Sequence, residues 1–171
     1  FAAIHGGDGR DLSAQTRSFS WPAPLDLRRT RVGVPVDRMD DESDETLQML
    51  SEMGVQLVGI QLPDRYPLDA ILNLLEVESA AMFDEQLREG DTEGWNRWPE
   101  VFRAIGFTSA VDYVRMQRVR LQLMRDFEGA IAGVDFLCNA DDLRHTNLSG
   151  HPSVVLPRKI ASRDDTLEPQ T

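Results

Sequence analysis

The sequence predicts an α/β fold with a mixed, mostly parallel sheet that helices cover on both faces. Short apolar runs of strand length alternate along the chain with longer segments in which apolar residues recur at helical spacing. The 171 residues are enough for one domain with a hydrophobic core. The chain opens with FAAIH and closes with SRDDTLEPQT, neither of which is a complete element, so we expect a partial fold that is incomplete at both ends.

The first elements predict a strand–helix–strand unit. The strands are RVGVPV at 31–36 and VQLVGIQL at 55–62. Ser43 or Asp44 is expected to cap the helix between them, and Gly54 is expected to end it. Strands joined in this way are parallel, with a right-handed crossover.

Helical spacing dominates the middle of the chain. A long helix is predicted over residues 69–88, with Gly90 after its end, and a short one over 100–107. Between them, DTEGWNRWP at 91–99 is a loop with two tryptophans. Residues 109–132 are predicted to form the longest helix. Its expected apolar face consists of residues spaced three and four apart, namely Ala110, Val114, Gln117, Leu121, Met124 and Ile131.

The most informative stretch is RHTNLSGHPSVVLP at 144–157, after a predicted third strand at 134–138. Its polar start, its Gly150-His151-Pro152 turn and its apolar end predict a polar loop that enters a buried strand. Polar groups at the mouth of a strand commonly form a binding site, which makes this stretch the candidate pocket.

Composition and charge exclude several classes of protein. The formal net charge of −11 argues against a general nucleic-acid binder. The single cysteine, Cys138, excludes an internal disulfide framework, and its apolar neighbours favour a buried hydrophobe over a nucleophile. No apolar run approaches the ~20 residues of a membrane span, and no signal peptide is visible, so we expect a soluble cytoplasmic protein without membrane contacts.

The residues alone do not name a reaction. His145 and His151 have no third ligand at a spacing suited to zinc, and phosphate-binding glycine patterns and a G-x-S-x-G elbow are absent from the sequence, so no cofactor is expected. His151 is interpreted as a turn residue in preference to a base. The arginines of the longest helix most simply form a solvated face, with carboxylate binding as the minority interpretation; they are Arg115, Arg118 and Arg125.

Taken in order, several segments resemble the amidase signature family. They are FAAIHGGDGRD, RVGV, GVQLVGIQLPD, WPEVFRAIGFTSAVDYVRMQRVRLQLMRDF, VDFL and TNLSGHPSVVLP. The resemblance covers nearly all of residues 1–157. Within the family, the chain is similar to bacterial amidases and to the A subunit of aminoacyl-tRNA amidotransferases. It implies that residues 1–157 are the C-terminal portion of one amidase domain and that 158–171 form a polar tail.

The resemblance implies an enzyme that cleaves carboxamide C–N bonds by serine acylation. The family's Ser–cis-Ser–Lys residues would lie upstream of this segment, and Lys159 is in the wrong place to be that lysine, so no catalytic residue is expected here. Arg120 would be structural. A small amide would be the substrate, and the substrate-binding residues implied by position are His145, Thr146, Asn147, Gly150 and His151.

Two departures from the family's pattern keep an alternative open. Asn139-Ala140 stand where the family usually has Thr-Pro, and Arg158-Lys159 follow Pro157 where it usually has Asn-Gly. They favour a non-catalytic pseudo-amidase or subunit-interaction module, and an amidotransferase A-type subunit is a further possibility. The partners expected are accordingly a second copy of the chain or amidotransferase subunits, with no direct contact to nucleic acid.

Overall fold

The structure, a computed structural model, describes residues 6, 7, 9, 10, 25–41, 44–138 and 142–155, and it confirms the α/β class. The chain divides into two compact units. We call the first, residues 1–60 and 133–138, the sheet unit, and the second, residues 61–132 and 139–171, the helical unit. In chain order the elements are β1 (Arg31–Pro35), α1 (Glu45–Glu52), β2 (Gln56–Ile60), α2 (Leu68–Met82), α3 (Asp84–Glu89), α4 (Trp98–Ile105), α5 (Ala110–Ile131), β3 (Phe136–Leu137) and α6 (Arg144–Ser149).

The sheet unit contains a three-stranded parallel sheet with the order β2-β1-β3. β1 pairs with β2 over its whole length, from Arg31 opposite Gln56 to Pro35 opposite Ile60. β3 is shorter than predicted and pairs with β1 only through Phe136 and Leu137. The predicted strand–helix–strand unit is therefore confirmed: β1 and β2 form a parallel pair, and the chain that connects them contains a helix, α1.

Helix α1 begins and ends where local chemistry requires. The carboxylate of Asp44 accepts hydrogen bonds from the backbone N–H groups of Thr46 and Leu47, which otherwise have no partner in the first turn. Gly54 follows the helix at φ +83, a conformation that other residues adopt only with strain. Leu47 is buried and α1 packs against β2, so the cap and the turn together position the apolar side of the helix.

The core of the helical unit lies where α2, α5 and α6 meet. Its fully buried members come from all three helices, and they are Ile71, Leu74, Leu123 and Leu148. Around them pack half-buried side chains, namely Tyr66, Leu68, Leu72, Tyr113, Met116 and Val119. This core positions α6, which carries the candidate pocket residues.

The predicted helix over residues 69–88 is wrong in one respect, because it is two helices that meet at Phe83. Phe83 leaves helical geometry at φ −102 and ψ 17, although its N–H still bonds to Ser79. Its ring packs on Trp95 and Phe102, with centroid distances of 5.4 and 6.1 Å. Ile71 and Leu74 of α2 are buried, whereas Ala81, Met82 and Phe83 at its end are exposed.

The predicted apolar face of α5 is not the face that packs into the core. Val114 and Leu121 are about half exposed, at 46% and 48%. The face that packs inward runs through residues spaced by three, one, three and four, namely Met116, Val119, Arg120, Leu123 and Phe127. Leu121 and Leu123 lie about 200° apart around a helix with 3.6 residues per turn. The helix therefore has two apolar stripes, and its contacts with α2 and α6 select the one the periodicity did not favour.

The polar loop predicted at 144–157 is instead a short helix. Residues 144–149 form α6, in which Asn147 N–H bonds to Leu143 O and Gly150 N–H to Thr146 O. The buried strand is not formed by its described part, since Val154 and Val155 lie outside regular structure and are 77% and 78% exposed. An apolar run is buried as a strand only where a partner pairs with it, and in the described chain none pairs with these residues. Several features that the sequence suggested lie outside the described residues; they are Ser43, Asn139, Ala140, Leu156, Pro157, Lys159 and the tail 158–171.

Candidate functional site

Arg144 and Asp142 hold the start of α6 in place. The Asp142 carboxylate accepts the Arg144 backbone N–H at 2.8 Å and two guanidinium hydrogen bonds, from Nε at 2.9 Å and from Nη2 at 2.7 Å. The remaining arm of Arg144, Nη1, reaches Asp69 of α2 at 2.7 Å. These bonds from Arg144 lower the pKa of Asp142 despite its partial burial. The start of α6 is therefore tied to α2 by charge-assisted hydrogen bonds.

His145 points into the core of the helical unit. Its side chain is 94% buried, since its relative exposure is 6%. Nε2 lies 2.8 Å from Pro63 O, and because a carbonyl only accepts, Nε2 carries the proton. Nδ1 is buried with no hydrogen-bond partner among the described residues. The imidazole also stacks on Phe127 at 5.7 Å, so its orientation is set from two sides.

His151 forms a pair with Ser149 across Gly150. The Ser149 Oγ and His151 Nδ1 atoms are 2.8 Å apart, and the same Oγ lies 3.3 Å from Thr146 O. A hydroxyl has one proton, so both contacts are satisfied when His151 Nδ1 donates to Oγ and Oγ donates to Thr146 O. Gly150 allows this approach because it adopts φ +78 at the end of α6.

Phe127 brings the two histidines together. It is fully buried on α5, where it stacks on His145 and meets the edge of His151 at 5.0 Å and 79°. The arrangement offers two oriented imidazoles and a buried hydroxyl on an apolar support. It can position hydrogen-bond donors and acceptors, which suits a pocket wall.

Thr146 and Asn147 are not part of this cluster. Thr146 Oγ1 donates to Leu143 O at 3.0 Å, a bond within its own turn, and Asn147 is exposed. Arg120 of α5 donates from Nε to Leu148 O at 2.5 Å and so satisfies a carbonyl at the end of α6. A bond of this kind is one that a structural arginine makes.

The residues of the site that sequence reasoning missed are Phe127 in the histidine cluster and Asp142 and Arg144 at the start of α6. The signal for Phe127 was its spacing of four residues from Leu123, which places both on one helix face. Asp142 and Arg144 stand two apart, the spacing at which an acidic side chain accepts the backbone N–H of a following turn. Both signals are common, so neither singled out this site.

Cys138 shows no feature of a nucleophile. It is half-buried, and burial raises the pKa of its thiol, although Arg38 acts in the opposite direction and Asp44 adds to the rise. A higher pKa disfavours the thiolate, which is the reactive form. The structure is therefore consistent with a packing role for this side chain.

Arg115, Arg118 and Arg125 are exposed on α5, and Arg115 pairs with Asp112 at 3.2 Å. This agrees with a solvated, salt-bridged face.

Within residues 44–138 and the other described segments, no group of three His, Cys, Asp or Glu side chains is placed to hold a metal ion. Across the same segments, every helix is too short or too polar to cross a bilayer.

No protein-family model matches this chain, and no curated protein or solved structure is significantly similar to it.

Proposed function

We propose that this chain is the C-terminal part of an amidase-type hydrolase that cleaves carboxamide C–N bonds by serine acylation. The observation that carries the proposal is the ordered series of segments that resembles the amidase signature family and ends in TNLSGHP. Support comes from the geometry around that last segment, where α6 and the turn after it are fastened by Arg144, Arg120 and the histidine cluster. A rigid wall of this kind is what a site needs to hold a substrate in a reactive orientation.

The reaction proposed for the whole enzyme has two stages. A serine, activated through a second serine and a lysine, adds its oxygen to the carboxamide carbon while backbone N–H groups stabilise the oxyanion. The C–N bond breaks as ammonia or an amine leaves with a proton, which produces an acyl-serine. Water then attacks the acyl carbon and releases the acid. None of these reacting groups is assigned to a residue of this chain.

The residues of this chain would bind the substrate. Asn147 is exposed on α6 and its amide can both donate to and accept from an acyl group. Gly150 and His151 would form the adjoining wall, with His151 held by Ser149 and Phe127. His145 would act as a positioning residue through its bond to Pro63 and its contact with Phe127.

The decisive experiment uses the whole natural protein that contains these residues. We expect it to hydrolyse simple carboxamides and to be labelled on serine by a fluorophosphonate, whereas the 171-residue segment alone should show neither property. Asn147→Ala should raise KM, and Gln122→Ala on the exposed face of α5 is the matched control. Serine-dependent turnover by the isolated segment would contradict the placement of the catalytic groups elsewhere.

A non-catalytic pseudo-amidase or subunit-interaction module is the second candidate, and the departures at Asn139-Ala140 and Arg158-Lys159 favour it. An amidotransferase A-type subunit is a third candidate, which those departures do not favour. A module would give no fluorophosphonate label in the whole protein and would co-purify with a partner subunit. An A-type subunit would be labelled and would also co-purify with its partners. A stand-alone amidase would be labelled and active without them.

A further inference from the structure

An aromatic pocket lies in the helical unit, apart from the residues assigned to substrate binding. It has a volume of about 400 Å³ and is lined by Ser79, Phe83, Trp95, Trp98 and Phe102. Pockets for small ligands typically have volumes of about 300–1,000 Å³ and are mostly apolar with few polar groups. This one fits that description, since Ser79 brings the only hydroxyl to its lining.

The loop between α3 and α4 builds the pocket. Gly90 and Gly94 both adopt φ +80, and Asn96 adopts φ +51, so the chain turns sharply on either side of Trp95. The ring of Trp95 is then nearly perpendicular to those of Phe83 and Phe102, at 72° and 79°. Phe83 and Phe102 are close to parallel, with 9° between their planes. The Trp95 ring therefore meets the paired Phe83 and Phe102 rings nearly at right angles, and the lining contains rings in more than one orientation.

Ring faces carry partial negative charge and attract cations. Trp98 already shows this attraction, because the Arg97 guanidinium lies over its ring at 5.6 Å from the centroid. Of the four aromatic residues in the lining, two are tryptophans, the side chain on which a cation binds best.

The surrounding charge also favours a cation. Residues 76–108, which contain the pocket, include eight acidic residues and three arginines, a net charge of −5 within a chain whose total is −11. A field of this sign raises the local concentration of cations and repels anions.

We propose that the aromatic pocket binds a small organic cation, an alkylated ammonium group held over the faces of Trp95 and Phe83. The aromatic walls supply cation–π attraction and apolar contact for the alkyl groups, and the acidic surroundings supply the sign of the charge. This proposal does not depend on the hydrolase assignment, because it uses none of the residues around α6.

The test compares choline with its neutral carbon isostere, in which a tert-butyl group replaces trimethylammonium. Both are titrated into the full natural chain by calorimetry, with tryptophan fluorescence as a second readout. We expect choline to bind about 10-fold more tightly, the ratio given by a partly desolvated cation–π contact. Equal affinities would overturn the cation selectivity, and failure of both to bind would overturn the site.

Two variants separate the aromatic contribution from simple burial. Trp95→Leu and Phe83→Leu keep an apolar wall but remove a ring face, so each should weaken choline binding several-fold and leave the isostere nearly unaffected. Phe107→Leu is the matched control, because Phe107 is 91% exposed and does not line the pocket.

Far-UV circular dichroism checks the fold of each variant. If Trp95→Leu unfolds, Phe83→Leu decides, since Phe83 is 41% exposed and lies at a helix break. Equal losses for the two ligands would contradict the proposal.

Discussion

Different interactions stabilise the sheet unit and the helical unit, each taken by itself. In the sheet unit, parallel backbone hydrogen bonds join three strands, and strand β1 passes so close to its neighbours that Gly33 leaves little room for a side chain. In the helical unit, large and fully buried side chains such as Leu123 and Phe127 pack between helices. A side chain added at Gly33 of β1 should therefore destabilise the sheet unit, and the removal of buried side-chain atoms should destabilise the helical unit.

The largest expected effect tests the packing of the helical unit. Leu123→Ala removes a fully buried side chain and should lower the free energy of unfolding by about 3–5 kcal/mol, through lost burial and the cavity left behind. Leu121→Ala is the matched control on the same helix, where the side chain is 48% exposed, and should cost less than about 1 kcal/mol. Urea denaturation of the two variants measures the difference. The reverse order would mean that α5 buries the stripe predicted from the sequence.

The next effect concerns a polar anchor in the sheet unit. Asp44 is buried, caps α1 and pairs with Arg38. Asp44→Ala removes the cap and leaves Arg38 without this partner, which should cost about 2 kcal/mol. Asp44→Asn keeps the shape of the side chain and removes the charge. Chemical denaturation at neutral pH gives both values, and a cost within error of zero for Asp44→Ala would contradict the anchor.

The same carboxylate predicts a pH dependence. Burial alone would raise the pKa of Asp44, but the hydrogen bonds from Thr46, Arg38 and Leu47 together outweigh burial and lower it. A carboxyl group whose pKa is lower in the folded state stabilises the fold above its unfolded pKa of about 3.9, and this stabilisation is lost as the pH falls through the folded value. The stability difference between the native chain and Asp44→Asn should therefore be full near pH 6 and shrink below about pH 4. A difference that grows on acidification would contradict this sign.

A smaller effect tests the close approach in the sheet unit. A Cβ atom at Gly33 would lie 3.1 Å from Val134 Cγ2 and 3.2 Å from Ile60 Cδ1, so both side chains would have to move. Gly33→Ala should cost about 1–2 kcal/mol. Gly59→Ala is the control on the neighbouring strand, where the nearest atom is 3.4 Å away, and it should be neutral or slightly stabilising. Thermal unfolding of the pair would sharpen the comparison, and equal costs would remove the role of crowding at β1.

The smallest effect lies on the surface of the helical unit. The Asp126 carboxylate accepts from Tyr66 Oη and from Arg65 Nη2, both at 2.5 Å, and the Tyr66 bond is the main cause of its lowered pKa. Tyr66→Phe should therefore raise the pKa of Asp126, which NMR titration of its side chain can measure. The stability of the fold should stay nearly unchanged, because the group is exposed to solvent. An unchanged pKa would show that Arg65 alone holds the carboxylate.

At the candidate site, as at helix α5, the sequence pattern predicted local features and did not predict which elements pack together. The pattern around Gly150 located the turn correctly, because a glycine at positive φ has a local cause. It did not show that residues 144–149 are helical, since their hydroxyl and amide side chains suit loops as well as helix ends. It also did not show that His145 and His151 meet across Phe127, which requires α5 and α6 to pack together.

By itself the sequence determined the local features of this protein. The α/β class, the parallel strand pair, the Asp44 cap, the helix ends at Gly54 and Gly90 and the turn at Gly150 all follow from contacts within a few residues of the chain or from hydrogen-bonded strand pairing. Only the tertiary structure decided which stripe of α5 is buried, where α2 ends, and that the apolar residues Val154 and Val155 are exposed. The physical reason is that burial is a property of pairs of elements. A helix with two apolar stripes, or a strand-like run without a neighbour, has no preferred side until a partner packs against it.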